Sequence, residues 1–176
     1  LMSENQKKIW ITGASSGIGK AVAEKFAKEG WKVAVSARRK ELLDELAQNQ
    51  NIVSFPLDVT NNNQINEVFK NILTEFKDLD ICLFSSGTYE PKDELSIDPD
   101  KIRNVINVNF LGVIDCVKTV EDYFKNKKSG HISIVSSIAG YRGLPNSSGY
   151  GPSKAALTNF SESIYFDFKK FGVRVS

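Results

Sequence analysis

The sequence has little of several residues that mark specialised classes of protein. Its 176 residues include two cysteines and one histidine. Cys82 and Cys116 lie in apolar stretches without the spacing of metal ligands, so we predict two buried thiols in a reduced, cytoplasmic compartment and no metal site. His131 stands beside a Ser-Gly turn, a position more typical of a partly exposed structural histidine than of a catalytic base.

The sequence also lacks long hydrophobic runs and an excess of charge of one sign. Its longest apolar runs, such as Ile81-Cys-Leu-Phe84, have the length of a strand and are far short of a membrane-spanning helix. The 23 basic and 21 acidic residues are interspersed, with a formal net charge of +2. This balance gives no reason to expect a nucleic acid or a membrane as a partner. No signal-peptide pattern is present at the start, and we predict one globular domain over residues 1–176.

What the sequence does contain is a regular alternation of β-branched segments with segments of helical periodicity. Strands are predicted at residues 8–12, 32–36, 52–55, 80–85 and 132–136. Helices are predicted at 41–48, 102–124 and 150–171. Another helix is predicted to begin near Ile18, with Ile18, Val22 and Phe26 on its apolar face. A fifth helix is predicted to begin after a cap on Thr60 or Asn61. Apolar strands between amphipathic helices are typical of a parallel sheet covered on both faces. We therefore predict a doubly wound, Rossmann-like α/β fold.

A glycine-rich turn, Thr12-Gly-Ala-Ser-Ser-Gly-Ile-Gly19, joins the first strand to the first helix. Glycines let the backbone approach a pyrophosphate, and a helix N-terminus offers N–H groups with a partial positive charge. The spacing is neither G-x-G-x-x-G nor a Walker A loop, and a tight connection alone could explain it. Its position is nevertheless where doubly wound folds bind dinucleotides. The predicted cofactor contacts here are Gly13, Ser15, Ser16, Gly17, Ile18 and Gly19.

The end of the second strand indicates which dinucleotide is bound. An acidic residue there would hold a ribose 2′-hydroxyl, but this chain has Ser36-Ala-Arg-Arg39. An arginine suits a 2′-phosphate through charge-assisted hydrogen bonds, so Arg38 and Arg39 favour NADP(H) over NAD(H). The alternative is a solvated arginine pair on a loop.

A tyrosine and a lysine four residues apart open the last helix, in Tyr150-Gly-Pro-Ser-Lys154. At this spacing both side chains share one face of a helix. A phenol ionises near pH 10, so a tyrosine that acts as acid and base at neutral pH needs a neighbouring cation to stabilise its phenolate. Lys154 supplies that cation. Taken alone, the pair could equally be two surface residues.

Three further segments stand in one order with the glycine-rich turn and the Tyr-Lys pair. They are Asp58-Val59, Val108-Asn-Phe-Leu-Gly112 and Val135-Ser-Ser-Ile-Ala-Gly140. Together these motifs resemble those of the short-chain dehydrogenase/reductase family, and the resemblance covers essentially the whole chain. It implies that Asp58 and Val59 contact the adenine of the cofactor.

The same resemblance implies four catalytic residues. Tyr150 would be the general acid and base, and Lys154 would stabilise its phenolate and bind the nicotinamide ribose. Ser137 would hydrogen-bond the substrate oxygen. Asn109 would hold a helix irregularity and a water that links Lys154 to solvent.

One segment departs from the family pattern. Family members commonly carry Asn-Asn-Ala-Gly after the fourth strand, where this chain has Phe84-Ser-Ser-Gly87. Gly87 keeps the close backbone approach to the cofactor ribose, and Ser86 is expected to contact the cofactor with it. Phe84 and Ser85 lack the amide side chains that would tie neighbouring strands together.

The resemblance implies an NADP(H)-dependent oxidoreductase that interconverts a secondary alcohol and a ketone or aldehyde. The alternative is a non-catalytic sensor or scaffold that binds NADP(H), although a sensor has no need of the residues Ser137, Tyr150 and Lys154. The substrate is expected under the loops 88–100 and 139–149. These loops contain several residues of a mixed apolar pocket, which do not name a molecule: Tyr89, Tyr141, Leu144 and Pro145.

The last helix is rich in aromatic residues. Ile164, Phe168 and Phe171 fit a core stripe, whereas Tyr165 and Phe166 face elsewhere. That pattern indicates either a helix contact with a second subunit or one wide face buried internally. The resemblance implies a homodimer or homotetramer through the helices 102–124 and 150–171.

The final residues have the pattern of the start of a sixth strand. A chain that ended here would leave the fifth strand as an unprotected edge of the sheet. In the family further strands and a substrate-covering loop follow this point. We therefore expect either a longer chain or an inactive fragment.

Overall fold

A six-stranded parallel sheet organises the chain. The computed structural model describes residues 6–89 and 97–176. The strands are β1 Lys8–Thr12, β2 Lys32–Ser36, β3 Ile52–Ser54, β4 Ile81–Phe84, β5 Gly130–Ile134 and β6 Val173–Val175. Their spatial order is β3-β2-β1-β4-β5-β6, and all neighbours are parallel. This confirms the predicted doubly wound, Rossmann-like fold, with β1 and β4 side by side where the chain reverses its direction across the sheet.

The helices cover both faces of the sheet. They are α1 Gly17–Lys28, α2 Lys40–Leu46, α3 Asn62–Phe76, α4 Pro99–Ile106, α5 Gly112–Lys127 and α6 Tyr150–Lys169. A short 3-10 helix, Ile138–Gly140, lies between β5 and α6. Asn61 caps α3, because its side chain accepts a hydrogen bond from the Gln64 N–H. This settles the choice between Thr60 and Asn61.

The core forms as two clusters, one on each face of the sheet. Because side chains alternate along a strand, Ile9 and Ile11 of β1 lie in the cluster under α1 and α2. Trp10 lies in the other cluster and packs edge-on against Phe84 at 5.7 Å between ring centroids. The indole N–H of Trp10 is satisfied by the Ser36 hydroxyl at 2.9 Å. Both faces of the sheet are therefore apolar and covered, as the strand sequences predict.

The prediction of one continuous α-helix over residues 102–124 is wrong. Residues Asn107–Leu111 form a π-helical segment between α4 and α5, in which the N–H of Gly112 reaches back to the carbonyl of Asn107. The segment adds one residue to a turn, and such turns are frequent at functional sites. The irregularity expected at Asn109 is therefore present. Its neighbour α4 starts at Pro99, where the Asp98 side chain caps the first turn.

The apolar face predicted for α1 is also partly wrong. Its buried residues are Gly19, Ala23 and Ala27, while Val22 and Phe26 pack beside them. Ile18 is 60% exposed. Small residues form the buried stripe because α1 packs closely on the sheet, and Ile18 is left beside the glycine-rich turn.

The edge of the sheet differs from expectation as well. β6 pairs with β5, and Ser176 extends the ladder, since its N–H bonds to Ile132 at 3.0 Å and its carbonyl accepts from Ile134 at 2.8 Å. Within the described residues, β5 is therefore covered by β6 and is not an unprotected edge. Within the described residues, no helix is long and apolar enough to cross a membrane.

The aromatic residues of α6 divide between core and surface. Phe168 is buried and Ile164 packs against the core, as predicted. Phe171 is 41% exposed, so its assignment to the core stripe is wrong. The helix ends at Lys169, and beyond that point the helical spacing no longer directs Phe171 inward. Tyr165 and Phe166 are exposed and form an edge-on pair, so the described residues do not bury them.

Candidate active site

The glycine-rich turn packs tightly against the segment that follows β4. Gly13 has φ +68°, and a Cβ at this position would lie 2.7 Å from the backbone of Ser85 and Ser86. A Cβ on Gly19 would lie 2.5 Å from the carbonyl oxygen of Gly13. Only glycine fits these two positions without moving backbone. The turn after β1 and the turn after β4 therefore form one surface at the reversal point of the sheet.

The start of α1 is open and suited to an anion. Gly17 has φ +56°, and a Cβ there would meet nothing within 4 Å. Ser16 occupies the N-cap without making a side-chain cap, and no acidic residue lies in the first turn. Free space and a helix N-terminus without a side-chain cap fit the pyrophosphate of a dinucleotide. Ile18, exposed beside this turn, borders the same space.

The two arginines after β2 interact with different residues. Arg39 reaches the glycine-rich turn, where its Nη2 is 3.0 Å from both the Ser15 and the Ser16 hydroxyl oxygens. The positive charge of Arg38 affects the carboxyl group of Asp58. Partial burial by itself would raise the pKa of Asp58, but the hydrogen bonds from Thr60 and the charge of Arg38 together lower it.

The other predicted adenine contact, Val59, is buried. Its side chain belongs to the core, and a Cβ on Gly112 would lie 2.8 Å from its carbonyl oxygen. The start of α5 is thereby held close to the segment that follows β3. Only the backbone of Val59 and the partly exposed Asp58 are left to face a cofactor.

The unusual segment Phe84-Ser-Ser-Gly87 still ties its neighbouring strands together. The Ser85 hydroxyl donates to the carbonyl of Thr12 at 2.7 Å, which joins the ends of β1 and β4. Phe84 is buried against Trp10. The prediction that Phe84 and Ser85 lose this tie is therefore wrong, because one short hydroxyl reaches the neighbouring carbonyl and the phenyl ring fills the core.

Asn109 is the centre of a buried hydrogen-bond network. Its Oδ1 accepts from the Thr88 N–H at 2.7 Å, and its Nδ2 donates to the Thr88 carbonyl at 2.9 Å and to the Ser153 hydroxyl at 3.1 Å. The Ser153 hydroxyl in turn donates to the Tyr150 carbonyl at 2.6 Å. The π-helical segment, the turn after β4 and the first turn of α6 are thus joined by one carboxamide.

Two members of this network, Thr88 and Ser153, are absent from the predicted site. Ser153 lies inside the motif Tyr150-Gly-Pro-Ser-Lys154, and its place one residue before Lys154 is the signal that could have found it. Thr88 takes part through its backbone, so its residue type carries no signal.

Lys154 is a buried cation beside the ring of Tyr150. Its side chain is 4% exposed, its Nζ donates to the Val135 carbonyl at 2.8 Å, and the same Nζ lies 5.6 Å from the centroid of the Tyr150 ring. Burial lowers the pKa of Lys154. A Cβ on Gly87 would lie 3.7 Å from this ammonium and 3.5 Å from Asn109 Oδ1. The structure therefore brings together Asn109, Tyr150, Lys154 and Gly87.

Ser137 precedes the short 3-10 helix that follows β5. Its Oγ caps the short 3-10 helix by accepting from the Ala139 N–H at 3.2 Å. The preceding hydroxyl, Ser136 Oγ, bonds to the Lys154 carbonyl at 2.9 Å and to Thr158 at 2.8 Å. These contacts dock the segment that carries Ser137 onto the helix that carries Tyr150.

The remaining chemically notable residues lie outside this group. His131 is partly exposed and bonds to the Ser176 hydroxyl at 2.8 Å, and burial together with Arg174 lowers its pKa. Burial raises the pKa of both Cys82 and Cys116. Among the described residues, no group of histidine, cysteine or acidic side chains could hold a metal ion.

Comparison with known proteins shows the family to which the chain is similar. A sequence model of the family described as "short chain dehydrogenase" matches residues 7–176. The chain is 31% identical over 172 residues to dehydrogenase/reductase SDR family member 7 of Mus musculus, an alignment that covers 93% of this chain and 51% of the relative. It is 33% identical over 173 residues to oxidoreductase BOA17 of Botryotinia fuckeliana, covering 96% and 63%. The chain thus spans about half to two thirds of the length of these curated relatives.

Solved structures show the same likeness. A short-chain dehydrogenase from Streptomyces avermitilis superposes with a TM-score of 0.91 at 28% identity, covering 98% of this chain and 64% of that one. ElxO with NADP bound superposes with a TM-score of 0.90 at 30% identity, covering 97% and 71%.

Proposed function

We propose an activity for this chain, which belongs to the short-chain dehydrogenase/reductase family: it is an NADP(H)-dependent oxidoreductase that interconverts a secondary alcohol and a ketone or aldehyde. The observation that carries this proposal is the buried Lys154 ammonium, 5.6 Å from the centroid of the Tyr150 ring. A buried cation needs a compensating role, and stabilising a phenolate is such a role. A sensor or scaffold would gain nothing from this pair.

The chemistry divides between the cofactor and the side chains of this chain. Bound NADPH supplies a hydride to the carbonyl carbon of the substrate. The Tyr150 hydroxyl gives its proton to the carbonyl oxygen, so that the product is an alcohol and Tyr150 is left as a phenolate. Lys154 stabilises that phenolate, and the Ser137 hydroxyl hydrogen-bonds the same substrate oxygen. In the reverse direction Tyr150 takes the proton back from the alcohol.

The buried network around Asn109 supports this role by positioning. The Asn109 carboxamide and the Ser153 hydroxyl hold the carbonyl of Tyr150, while the Val135 carbonyl holds Lys154. Rigid placement of reacting groups is a large part of enzymatic rate enhancement.

The activity is tested by combining a carbonyl panel with a binding measurement. We expect the protein, purified at its full natural length, to oxidise NADPH, measured by the loss of its absorbance, in the presence of one or more ketones or aldehydes. Saturable NADPH binding without oxidation across a broad panel would instead favour a sensor or scaffold.

We infer that the cofactor is NADP(H) because two arginines, Arg38 and Arg39, follow β2, where this fold binds the ribose of a dinucleotide. Arg39 already contacts two hydroxyl groups of the turn, and nothing acidic in the predicted second-strand motif would repel a phosphate. Charge-assisted bonds from a guanidinium discriminate strongly for a phosphate.

Removing either arginine is expected to change the cofactor preference. Arg38→Ala and Arg39→Ala should each raise the Kd for NADPH by about 10-fold or more and leave the Kd for NADH within about 3-fold, because one or two charge-assisted bonds are lost only with the 2′-phosphate. Titration of both cofactors into each variant measures the ratio. Arg103→Ala, which removes an exposed arginine of α4, is the control. An unchanged ratio in both variants would show that the 2′-phosphate assignment is wrong.

We also propose that the protein is a homodimer or homotetramer through the helices 102–124 and 150–171. The exposed apolar side chains of Leu111 and Phe166 on these helices support this proposal.

A further inference from the structure

The ring of Tyr150 packs against the ring of a second tyrosine, Tyr89. Their centroids lie 5.0 Å apart and their planes meet at 61°, an edge-on geometry in which aromatic rings attract each other. Tyr89 follows β4 in the chain and is 49% exposed. The hydroxyl that would carry the transferred proton moves with the Tyr150 ring, so a contact that holds the ring also places the hydroxyl.

Asn109 fixes the main chain from which the Tyr89 side chain extends. Its buried carboxamide accepts a hydrogen bond from the Thr88 N–H at 2.7 Å and donates one to the Thr88 carbonyl at 2.9 Å. That carbonyl belongs to the planar peptide unit that joins Thr88 to Tyr89. Two bonds to the backbone of Thr88 leave it little freedom to rotate, and the start of Tyr89 is therefore held in place.

The same carboxamide reaches the main chain of Tyr150 by a second route. Asn109 Nδ2 donates to the Ser153 hydroxyl at 3.1 Å, and this hydroxyl donates to the Tyr150 carbonyl at 2.6 Å. One side chain therefore holds the main chain on which each tyrosine is mounted, and the contact between the two rings closes the loop. The bonds of such a buried network strengthen one another.

The position of Lys154 makes the orientation of the Tyr150 ring important. The Lys154 ammonium lies 5.6 Å from the centroid of this ring and is itself held by the Val135 carbonyl at 2.8 Å. The attraction between an ammonium and a phenolate falls as the distance between them grows. A Tyr150 ring that turned away from the fixed ammonium would lose the stabilisation of its phenolate.

We propose that Tyr89 is a positioning residue, whose ring holds the Tyr150 phenol in the orientation that proton transfer requires. This inference rests on the proposed function and adds a residue to it. The ring of Tyr89 carries the role and its hydroxyl does not, because the contact joins one ring to the other. The competing role for Tyr89 is to line the substrate pocket expected under the loop 88–100, of which residues 90–96 lie outside the described residues.

Two substitutions of Tyr89 test the proposal in the protein at its full natural length. Tyr89→Ala should lower kcat by about 10-fold or more and leave KM and the Kd for NADPH within about 3-fold, because misplacing a reacting group slows chemistry without weakening binding. Tyr89→Phe keeps the ring and should recover most of the lost kcat. Phe171→Ala removes a ring of similar exposure, 41%, beyond the end of α6 and is the control, which should match the original protein. Steady-state kinetics with a carbonyl that the protein reduces and a cofactor titration measure these quantities.

Three kinetic results would each overturn the proposal. A higher KM with unchanged kcat in Tyr89→Ala would assign Tyr89 to substrate binding. An equal loss of kcat in Tyr89→Ala and Tyr89→Phe would assign the effect to the Tyr89 hydroxyl. Unchanged kcat and KM in Tyr89→Ala would mean that the Tyr150 ring keeps its orientation without Tyr89.

A measurement without turnover distinguishes this inference from the proposed activity. The nuclear Overhauser effect between the ring protons of Tyr150 and the side chain of Lys154 reports how close the two groups are, and the Tyr150 signal is identified by its loss in Tyr150→Phe. This effect should be reduced in Tyr89→Ala and persist in Tyr89→Phe. If no carbonyl is reduced but this pattern is observed, the proposed activity is wrong and Tyr89 still positions the Tyr150 ring. An unchanged effect in Tyr89→Ala overturns the inference, whatever the kinetics show.

Discussion

Tyr150→Phe is expected to lower kcat by about 100- to 10,000-fold, the usual contribution of a general acid or base. The substitution removes one oxygen atom and leaves the ring, so its contacts with Tyr89 and with the Lys154 ammonium can persist. NADPH affinity should stay within about 3-fold of the original, because the phenol hydroxyl contributes one hydrogen bond at most. Steady-state kinetics and a cofactor titration on the same preparation measure both quantities.

Tyr165→Phe is the control for this result. It removes the same atom from an exposed tyrosine on the same helix, away from Lys154. Turnover by Tyr165→Phe should match that of the original protein. If Tyr150→Phe keeps its activity, a different group supplies the proton and the proposed mechanism is incorrect.

Gly13→Ala is expected to destabilise the fold by about 2–5 kcal/mol. A left-handed backbone costs an L-residue about 1–2 kcal/mol, and an overlap that moves packed atoms costs about 1–3 kcal/mol more. Here the new Cβ would lie 2.7 Å from the backbone of Ser85 and Ser86, which cannot rotate away as a side chain can. Urea unfolding followed by circular dichroism measures the loss.

Alanine substitutions at two other glycines distinguish the cost of backbone strain from the cost of steric overlap. Gly17→Ala has the strained backbone but no neighbour within 4 Å, and Gly143→Ala has neither. The expected order of destabilisation is therefore Gly13→Ala, then Gly17→Ala, then Gly143→Ala. Gly17→Ala should also weaken NADPH binding, since its Cβ fills the space at the start of α1. Equal destabilisation by Gly13→Ala and Gly17→Ala would mean that the contact between the two turns carries no energy.

Much of the fold could be predicted because it depends on local patterns. The alternation along β1 places Ile9 and Ile11 on one face and Trp10 on the other, and such periodicity is visible in the sequence. The turn at Gly13 and the pair of Tyr150 and Lys154 were predictable for the same reason, since each motif is a few residues long.

The parts that could not be predicted depend on contacts between distant segments. The π-helical turn around Asn109 has the same apolar periodicity as an α-helix, and what distinguishes it is the bonding of the carboxamide to Thr88 and Ser153, 21 and 44 residues away. Ser85 replaces an amide because its hydroxyl happens to reach Thr12, 73 residues away. Short polar side chains have many possible partners, so a sequence alone does not select one.

Ile18 and Phe171 were predicted to be buried, and their exposure does not depend on polar contacts between distant segments. Both residues are apolar and stand at helix ends, where periodicity predicts burial but the packing of the next segment decides it. α1 approaches the sheet through Gly19 and Ala23, and α6 ends before Phe171. Periodicity describes the middle of a helix better than its ends.

The bond between Ser85 and Thr12 also bears on the order of folding. It joins residues 73 positions apart, at the place where Gly13 packs against Ser85 and Ser86. Closing a loop of this length costs conformational entropy before the contacts that offset this cost are formed. Parallel pairing between β1 and β4 is therefore an intrinsically slow step of folding. The dinucleotide space does not exist until that event is complete. A cofactor that binds there would recognise only the assembled sheet, and mass action would shift the folding equilibrium towards it as the cofactor concentration rises above the Kd.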